Sequence, residues 1–312
     1  MNYKKIFRSR KFRYRVLKAL SFVPDKPMLM VQYWIKFGRW PNLKSPTRYT
    51  EKIQLYKMYY RNPDVIVCCD KYAVRDYLAS RGMGSLLPKL YGVYDRAEDI
   101  DFTSLPDKFV MKTNDGGGGN NVKICKDKHS LDIQATIKEL NSWLNIKEIN
   151  PGREWGYTGI QKSVIIIEEY LEDKSRPGES IDDYKFFCFN GEIFCVQHDM
   201  GRFTEAHTRT YYDENWNNLH VTVKVKNTET PVAIPENFEE MKSVARSLAK
   251  EFPHVRVDLY SVNGKIYFGE LTFYNASGYN YVDPDEFDIT MGQQFDLSTF
   301  ISPSSPESRH RQ

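Results

Sequence analysis

A stretch near the C-terminal end, VRVDLYSVNGKIYFGELTFYN, alternates apolar and polar residues, which predicts a half-buried β-hairpin. Asp258 and Glu270 lie on the polar positions of its two strands. A two-residue Asn263-Gly264 turn would put these carboxylates on opposite faces of the sheet. A three-residue turn that includes Lys265 pairs them directly and keeps one face apolar. We therefore predict the three-residue turn.

The two acidic residues of this hairpin are candidate metal ligands. Carboxylates that face each other across a hairpin repel, and a hard divalent cation with a preference for oxygen removes that repulsion. The pair of Asp258 and Glu270 therefore indicates a metal site. A solvated outer face of the sheet is the alternative that this pair alone leaves open.

A second pair of predicted strands encloses four consecutive glycines in FVMKTNDGGGGNNVKIC, at Gly116, Gly117, Gly118 and Gly119. Four glycines cost much backbone entropy, and close approach of backbone N–H groups to phosphate oxygens is a reason to keep them. Lys112 lies in the preceding strand, where a buried ammonium group needs an anionic partner such as phosphate. A flexible surface loop is the alternative.

The run VIIIEEYLED predicts a central strand that is buried on both faces. Its end could offer backbone groups to a planar base. The residues concerned are Glu168, Glu169, Tyr170 and Leu171. Plain solvation of a strand end is the alternative.

A further hairpin, DDYKFFCFNGEIFCVQHD, is predicted to turn at Asn190-Gly191. In that two-residue register Lys185 shares a face with Asp183 and lies opposite Val196. A lysine among phenylalanines needs an anion, and either Asp183 or a bound ligand satisfies it.

The polar loop after this hairpin carries Arg202, His207 and Arg209. Guanidinium groups bind carboxylate or phosphate bidentately, so these three residues are candidate substrate contacts. Ordinary surface arginines are the alternative.

Upstream, VIVCCDKYAVRDYLASRGM predicts one helix that ends at Gly82. Asp70, Lys71 and Arg75 have helical spacing there, which favours structural ion pairs.

Charge and composition limit the partners of the chain. The first eighteen residues carry eight Lys or Arg and no acid, which indicates a basic amphipathic helix. It could lie on an anionic membrane surface, bind a phosphate-rich partner, or pack as a solvated helix. The net charge of +3 is too small to imply a nucleic-acid partner. We recognise no membrane span or signal peptide, so we expect a cytoplasmic protein that at most contacts the inner face of the membrane.

Six strings in this order resemble the ATP-grasp superfamily and, within it, the TupA-like branch, which is named for teichuronopeptide biosynthesis. They are SPTRYTEKIQLYK, DKYAVRDYL, FVMKTNDGGGGN, IIIEEYL, DYKFFCFNGE and RVDLY…IYFGELTF, and they cover about residues 40 to 295. The resemblance implies an α+β fold in which two α+β subdomains enclose ATP, with a mainly helical N-terminal lobe. The expected divisions are the lobe 1–105, the glycine-rich subdomain 106–171, the metal subdomain 172–300 and a disordered tail 301–312.

The resemblance also implies roles for the candidate residues. Lys112 and Lys185 match the lysines that bind the nucleotide phosphates, Gly116 to Gly119 match a mobile loop over the phosphates, and Glu168 to Leu171 match the adenine hinge. Asp183 would bind the ribose, Asp258 and Glu270 would bind Mg²⁺, and Arg256 would stabilise the transferring phosphoryl group. Two residues depart from the pattern: Thr272 stands where many relatives have Asn, and Asp115 stands where His is expected.

The activity that the resemblance implies is an ATP- and Mg²⁺-dependent carboxylate–amine ligase that acts through an acyl phosphate. Its substrates would be an amino acid or amine and a uronic acid or other carboxylate of a bacterial surface polysaccharide or its precursor. A sugar kinase is one alternative, and it needs a base near the acceptor, for which Asp199, His198 and His207 are candidates. A glycosyltransferase is another, although it leaves the glycine loop unexplained. A non-catalytic membrane adaptor is the third.

Overall fold

A computed structural model describes residues 10–117, 121–144, 150–202 and 204–301. In these ranges two β-sheets are surrounded by helices. The helices are α1 Arg10–Ala19, α2 Asp25–Phe37, α3 Tyr49–Tyr59, α4 Asp64–Cys69, α5 Ala73–Ser80, α6 Ile133–Leu144, α7 Trp155–Thr158, α8 Phe238–Ala249 and α9 Glu286–Gln294. The strands are β1 Leu90–Tyr94, β2 Phe109–Thr113, β3 Val122–Cys125, β4 Ile165–Glu169, β5 Asp183–Phe189, β6 Glu192–Met200, β7 Thr208–Tyr212, β8 His254–Val262 and β9 Lys265–Thr272. The expected α+β fold is confirmed.

The smaller sheet has the strand order β1-β4-β2-β3, with every pair antiparallel. The predicted central strand is β4, and its isoleucines are fully buried as a two-sided strand requires. Phe109 and Met111 of β2 pack with Ile167 of β4 and Leu140 of α6 in one apolar cluster. Helix α6 thus covers one face of the sheet and leaves the other face to line a cleft.

The larger sheet has the strand order β7-β6-β5-β8-β9 and is also antiparallel. Val257 of β8 and Phe186 of β5 lie in its apolar cluster together with α8. Tyr56 of α3 and Val65 of α4 belong to the same cluster. The N-terminal helices therefore pack on the larger sheet, and they do so by apolar contacts.

The prediction of a three-residue turn between β8 and β9 is wrong. Val262 pairs with Lys265, so the turn is the two-residue Asn263-Gly264, and both turn residues have positive φ, 52° and 74°. The register shifts by one residue at Gly269, so that Asp258 pairs with Glu270 after all. A β-bulge, rather than a longer turn, returns the two carboxylates to one face.

The hairpin of β5 and β6 also combines a two-residue turn with a register shift. Asn190-Gly191 forms the predicted two-residue turn, with φ of 50° and 85°. The prediction that Lys185 lies opposite Val196 is wrong, because the register shifts between Phe187 and Cys188 and places Gln197 opposite Lys185.

The helix predicted from VIVCCDKYAVRDYLASRGM is two helices, α4 and α5. Oδ1 of Asp70 accepts hydrogen bonds from the backbone N–H groups of Tyr72 (2.7 Å) and Ala73 (3.0 Å). This short side chain offers the backbone a local partner that competes with the helix. Lys71 is therefore placed in the break and not on a helix surface.

Several predicted segments fall outside the described residues. They are the first nine residues of the basic start, Gly118 and Gly119 of the glycine loop, and the tail after Ile301. Of the helices that are described, none has the length and apolar character needed to cross a membrane.

Candidate active site

A cleft of about 2030 Å³ lies between the two sheets. Most of the predicted site residues line it. They are Lys112, Gly116, Gly117, Glu168, Glu169, Tyr170, Leu171, Asp183, Lys185, Arg202, Arg209, Arg256, Asp258 and Glu270. Pockets for drug-sized ligands are typically about 300–1,000 Å³, so this cleft has room for a nucleotide and a second substrate.

The polar face of the β8–β9 hairpin forms the floor of the cleft around Arg256. Its Nε and Nη2 donate to the two oxygens of Asp258, each at 2.7 Å, in a bidentate pair. Nη2 also lies 3.2 Å from Glu270 Oε1, and Nη1 donates to Asn275 Oδ1 at 2.6 Å. Thr272 donates to Glu270 at 2.9 Å, so the residue that departs from the family pattern orients the candidate metal ligand.

Lys185 reaches the same floor from the neighbouring strand. Because β5 pairs with β8, Lys185 lies directly opposite Asp258, and its Nζ donates to Asp258 Oδ2 at 2.6 Å and to Asp183 Oδ2 at 2.5 Å. Arg202 also donates to Asp183 at 2.5 Å. The structure thus gives Lys185 two carboxylate partners, of which the sequence anticipated Asp183.

The donor set at this position fits a magnesium ion. Burial would raise the pKa of Glu270, but the positive charges of Lys71, Arg256 and Lys185 outweigh burial and lower this pKa to about 2. Glu270 is therefore ionised at neutral pH, and Asp258 lies on the same face. Burial raises the pKa of Asp258, and its two oxygens accept from Arg256 and Lys185, so Asp258 would exchange a hydrogen bond for the ion. No group of three or more His, Cys, Asp or Glu side chains in the described ranges is arranged to hold a metal. The ion would accordingly need oxygens from an anionic ligand to complete its coordination.

The opposite wall of the cleft carries Lys112 of β2. Its Nζ forms an ion pair with Glu168, and Arg75 of α5 pairs with the same carboxylate at 2.8 Å. Glu168 is only 4% exposed, so two cations offset the cost of burying its charge. The sequence predicted phosphate as the anion beside Lys112, whereas here a glutamate predicted for the adenine hinge supplies it.

Lys71 is a cleft residue that the sequence prediction missed. Its Nζ donates to the carbonyl oxygen of Gly116 in the glycine loop. Burial lowers the pKa of Lys71, and the negative charge of Glu270 partly offsets that shift. The signal in the sequence was Asp70, which follows α4 and whose side chain accepts hydrogen bonds from the backbone N–H groups of Tyr72 and Ala73.

Two of the three candidate substrate contacts, His207 and Arg209, are joined by a buried carboxylate. Asp199 Oδ1 accepts from Arg209 Nε and pairs with His207 Nε2, both at 2.8 Å. Gln197 donates to the other oxygen of Asp199 at 2.6 Å. Burial would raise the pKa of Asp199, but Arg209 and His207 lower it to about 2. Asp199 therefore fixes the orientation of Arg209 at the edge of the cleft.

Two sheets face each other across one cleft, with lysines from both sheets and paired carboxylates on its floor, as expected of an ATP-grasp fold. The family model described as "TupA-like ATPgrasp" matches residues 51–296. The chain therefore belongs to the TupA-like ATP-grasp family, as the sequence predicted. A search of curated proteins finds no match.

Several solved structures are similar to this chain. A D-alanine–D-alanine ligase from Bacillus anthracis complexed with ATP is 17% identical, with a TM-score of 0.42, and the match covers 66% of this chain and 55% of that one. The Helicobacter pylori D-alanine–D-alanine ligase is 15% identical, with a TM-score of 0.41 and coverage of 74% and 62%. The ATP-grasp ligase PsnB, complexed with a precursor variant, Mg and ADP, is 12% identical, with a TM-score of 0.42 and coverage of 76% and 62%. The chain thus spans little more than half the length of the first of these proteins.

Proposed function

We propose that this chain is an ATP- and Mg²⁺-dependent ligase that joins a carboxylate to an amine through an acyl phosphate. The observation that supports this most is that Lys112, Lys185, Asp258 and Glu270 line one cleft although they come from two sheets. The cationic side chains suit a triphosphate, and the paired acids suit the ion that accompanies it.

The reaction requires little more than positioning of the substrates and neutralisation of the phosphate charges. An oxygen of the substrate carboxylate attacks the γ-phosphorus, and ADP leaves. The amine then attacks the carbonyl carbon of the acyl phosphate, and inorganic phosphate leaves. Arg256, held by Asp258 and Asn275, would offset the negative charge of the phosphoryl group during its transfer. Asp258 and Glu270 would hold Mg²⁺, which when bound supplies positive charge to the phosphate oxygens.

A phosphotransfer to a sugar hydroxyl has less support from the geometry. It needs a base near the acceptor, and Asp199 with a pKa lowered to about 2 is a weak one. His198 is 1% exposed and stacks on Tyr184 with ring centroids 4.6 Å apart. His207 is occupied by Asp199. The three bases considered for a kinase are therefore poorly placed for that role.

The proposed substrates are an amino acid or other amine and a uronic acid or similar carboxylate of a bacterial surface polysaccharide or its precursor. A cytoplasmic location, with the basic N-terminal segment against the inner face of the membrane, is part of the same proposal. The polysaccharide assignment rests on the resemblance of the chain to its family.

Incubation of the purified protein with ATP, Mg²⁺, uronic acids and hydroxylamine tests the reaction class. A ligase of this kind yields ADP and a hydroxamate, because hydroxylamine traps the acyl phosphate. A kinase yields ADP and a phosphorylated sugar, and a glycosyltransferase consumes a UDP-sugar without ATP turnover. Either of these results, or hydroxamate from an Asp258→Asn variant at the wild-type rate, would contradict the proposal.

A further inference from the structure

One corner of the cleft has no place in the nucleotide site described above. It is formed by the loop before α7 and by the turn after β9, and we name it the Glu154 corner. Its residues are Gly152, Glu154, Ser277 and Asn280, and all four line the cleft.

The Glu154 corner presents hydrogen-bond acceptors. Glu154 contributes a carboxylate, which the hydroxyl group of Ser277 hydrogen-bonds. Oδ1 of Asn280 is buried and accepts no hydrogen bond from any residue within the described ranges. A buried carbonyl oxygen without a donor costs free energy, and a donor from a ligand removes that cost. The corner therefore suits a cationic group with several N–H bonds.

The corner is also rigid. Lys57 Nζ donates to the carbonyl oxygen of Ser277 at 2.9 Å, and Gln54 Nε2 donates to the same oxygen at 3.3 Å. Ala276 and Ser277 have φ of 47° and 59°, a left-handed conformation that side-chain-bearing residues seldom adopt. Backbone in such regions persists when its surroundings fix it, and it is frequent at ligand sites.

Space in the corner depends on Gly152. A Cβ atom at this position would overlap the hydroxyl group of Ser277 and lie 2.9 Å from Glu154 Oε1. The missing side chain therefore leaves the oxygens of the corner open to the cleft.

The segment that carries Ser277 also contacts the floor of the cleft. Asn275, two residues before Ser277, accepts a hydrogen bond from Arg256 at 2.6 Å. Burial raises the pKa of Tyr157, and the negative charges of Glu270 and Glu154 both add to that rise. Tyr157, Glu154 and Glu270 all line the same cleft.

We infer, on the basis of the proposed ligase activity, that the Glu154 corner binds the ammonium group of the amine substrate. Glu154 and Asn280 accept its hydrogen bonds and hold the nitrogen next to the acyl phosphate. After loss of a proton to solvent, the lone pair of the nitrogen attacks the carbonyl carbon, the C–O bond to phosphate breaks, and the second proton leaves with the phosphate.

A purely structural pair of Glu154 with Lys57 accounts for less of the geometry. Lys57 Nζ is directed to Ser277 and lies 4.6 Å from the ring of Tyr279. Burial lowers the pKa of Lys57 and raises the pKa of Glu154, and the charge of each group partly offsets the shift of the other. A second cation beside Glu154 would offset the cost of burying its carboxylate.

An NMR titration with ethylammonium chloride tests the inference without turnover. We expect shifts of the backbone amide signals of Gly152, Ser277 and Asn280 in the wild type, and at least about tenfold weaker binding in Glu154→Gln, since a charge-assisted hydrogen bond is lost. Sodium acetate should leave these signals unchanged. Shifts that persist in Glu154→Gln, or that arise elsewhere in the cleft only, would overturn the inference.

Kinetics separate the inference from the proposed function. Hydroxamate formation with neutral hydroxylamine should survive in Glu154→Gln, whereas the KM for the amine should rise at least about tenfold. Loss of both in a variant that unfolds like the wild type would assign Glu154 to the first half-reaction and overturn the inference. Absence of hydroxamate in the wild type would instead contradict the ligase proposal.

Two further variants control for indirect effects. Asp25→Asn removes another carboxylate that acts on Lys57, but its side chain is 47% exposed and pairs with Arg153. We expect the Asp25→Asn variant to bind ethylammonium as the wild type does. Asn280→Leu removes the second acceptor without altering the charge near Lys57, and it should also weaken binding. Equal weakening by Asp25→Asn and Glu154→Gln would overturn the inference.

Discussion

Asp258 lies directly opposite Glu270, although the turn between their strands has only two residues. Gly269 is the extra residue that makes this pairing possible, because its bulge shifts the register by one position. A Cβ atom at Gly269 would lie 3.0 Å from the carbonyl oxygen of Asp258. The pairing of the two carboxylates therefore depends on Gly269, which has no functional side chain.

We expect Gly269→Ala to displace Glu270 and to lower turnover more than it lowers stability. The methyl group must push against the backbone of β8, which we expect to cost about 1 kcal/mol of unfolding free energy. The measurements are urea denaturation and steady-state ADP release. Lys265→Ala, on the same strand but exposed, should change neither. Full activity of Gly269→Ala would show that the bulge tolerates a side chain.

Glu270→Gln should reduce turnover by about a hundredfold or more while the protein still unfolds cooperatively. The side chain keeps its size and its hydrogen bond with Thr272 but loses the charge that a divalent ion needs. ADP release at saturating Mg²⁺ gives the rate, and thermal unfolding by circular dichroism reports on the fold. Glu139→Gln, an exposed change on α6, serves as the control. Wild-type turnover would remove Glu270 from the metal site.

We propose that Lys71, which lines the same cleft as Lys112 and Lys185, also contacts the nucleotide phosphates. Lys71→Met should then raise the KM for ATP about tenfold, since one charge-assisted contact is lost. The methionine keeps most of the length of the side chain, and the glycine loop loses the hydrogen bond to Gly116. Lys123→Met is a matched control, because Lys123 pairs with Glu139 on the outer surface. Equal KM values for the two variants would argue against a phosphate contact by Lys71.

His254 should make the fold sensitive to acid. Burial lowers the pKa of His254 from 6.5 to about 3, and its neutral ring hydrogen-bonds Tyr49 and the carbonyl oxygen of Cys188. The unfolded chain takes up a proton near pH 6.5 and the folded chain does not, so stability is present above that pH and is lost as the pH falls toward 3.

The expected loss is about 1 kcal/mol for each pH unit in this window. Urea denaturation at pH 7, 6 and 5 measures it. His254→Gln should be less stable at pH 7 but should show a flatter dependence on pH. The same slope in both proteins would mean that other groups titrate on unfolding.

The sequence predicted those parts of the fold whose signal is local or repeated. The run of isoleucines in β4 and the Asn190-Gly191 turn are short patterns that determine their own conformation. The length of the Asn263-Gly264 turn was predicted wrongly, because the bulge in β9 was not anticipated. The site residues Lys112, Lys185, Asp258 and Glu270 were placed in one cleft through the order of six motifs. Without the resemblance to the family, the residue pattern would have left a purely structural role open for each of them.

What the sequence did not predict depends on single side chains or on distant partners. The bulge at Gly269 and the register shift after Phe187 leave the alternation of each strand nearly unchanged, so periodicity could not locate them. The break between α4 and α5 arises because Asp70 bonds the following backbone N–H groups. Its consequence, the position of Lys71 in the cleft, required knowledge of where the glycine loop lies.

Most of the buried apolar side chains of the described residues fall into two separate clusters, one for each sheet. Across the divide, Asp70 bonds Asn114 and Arg75 pairs with Glu168, and water can replace such polar contacts. A change in the angle between the two halves, each a sheet with its own apolar cluster, would therefore expose little apolar surface. Substrates can then enter and products can leave when one half rotates relative to the other. The free-energy cost of this rotation is far below that of unfolding either half.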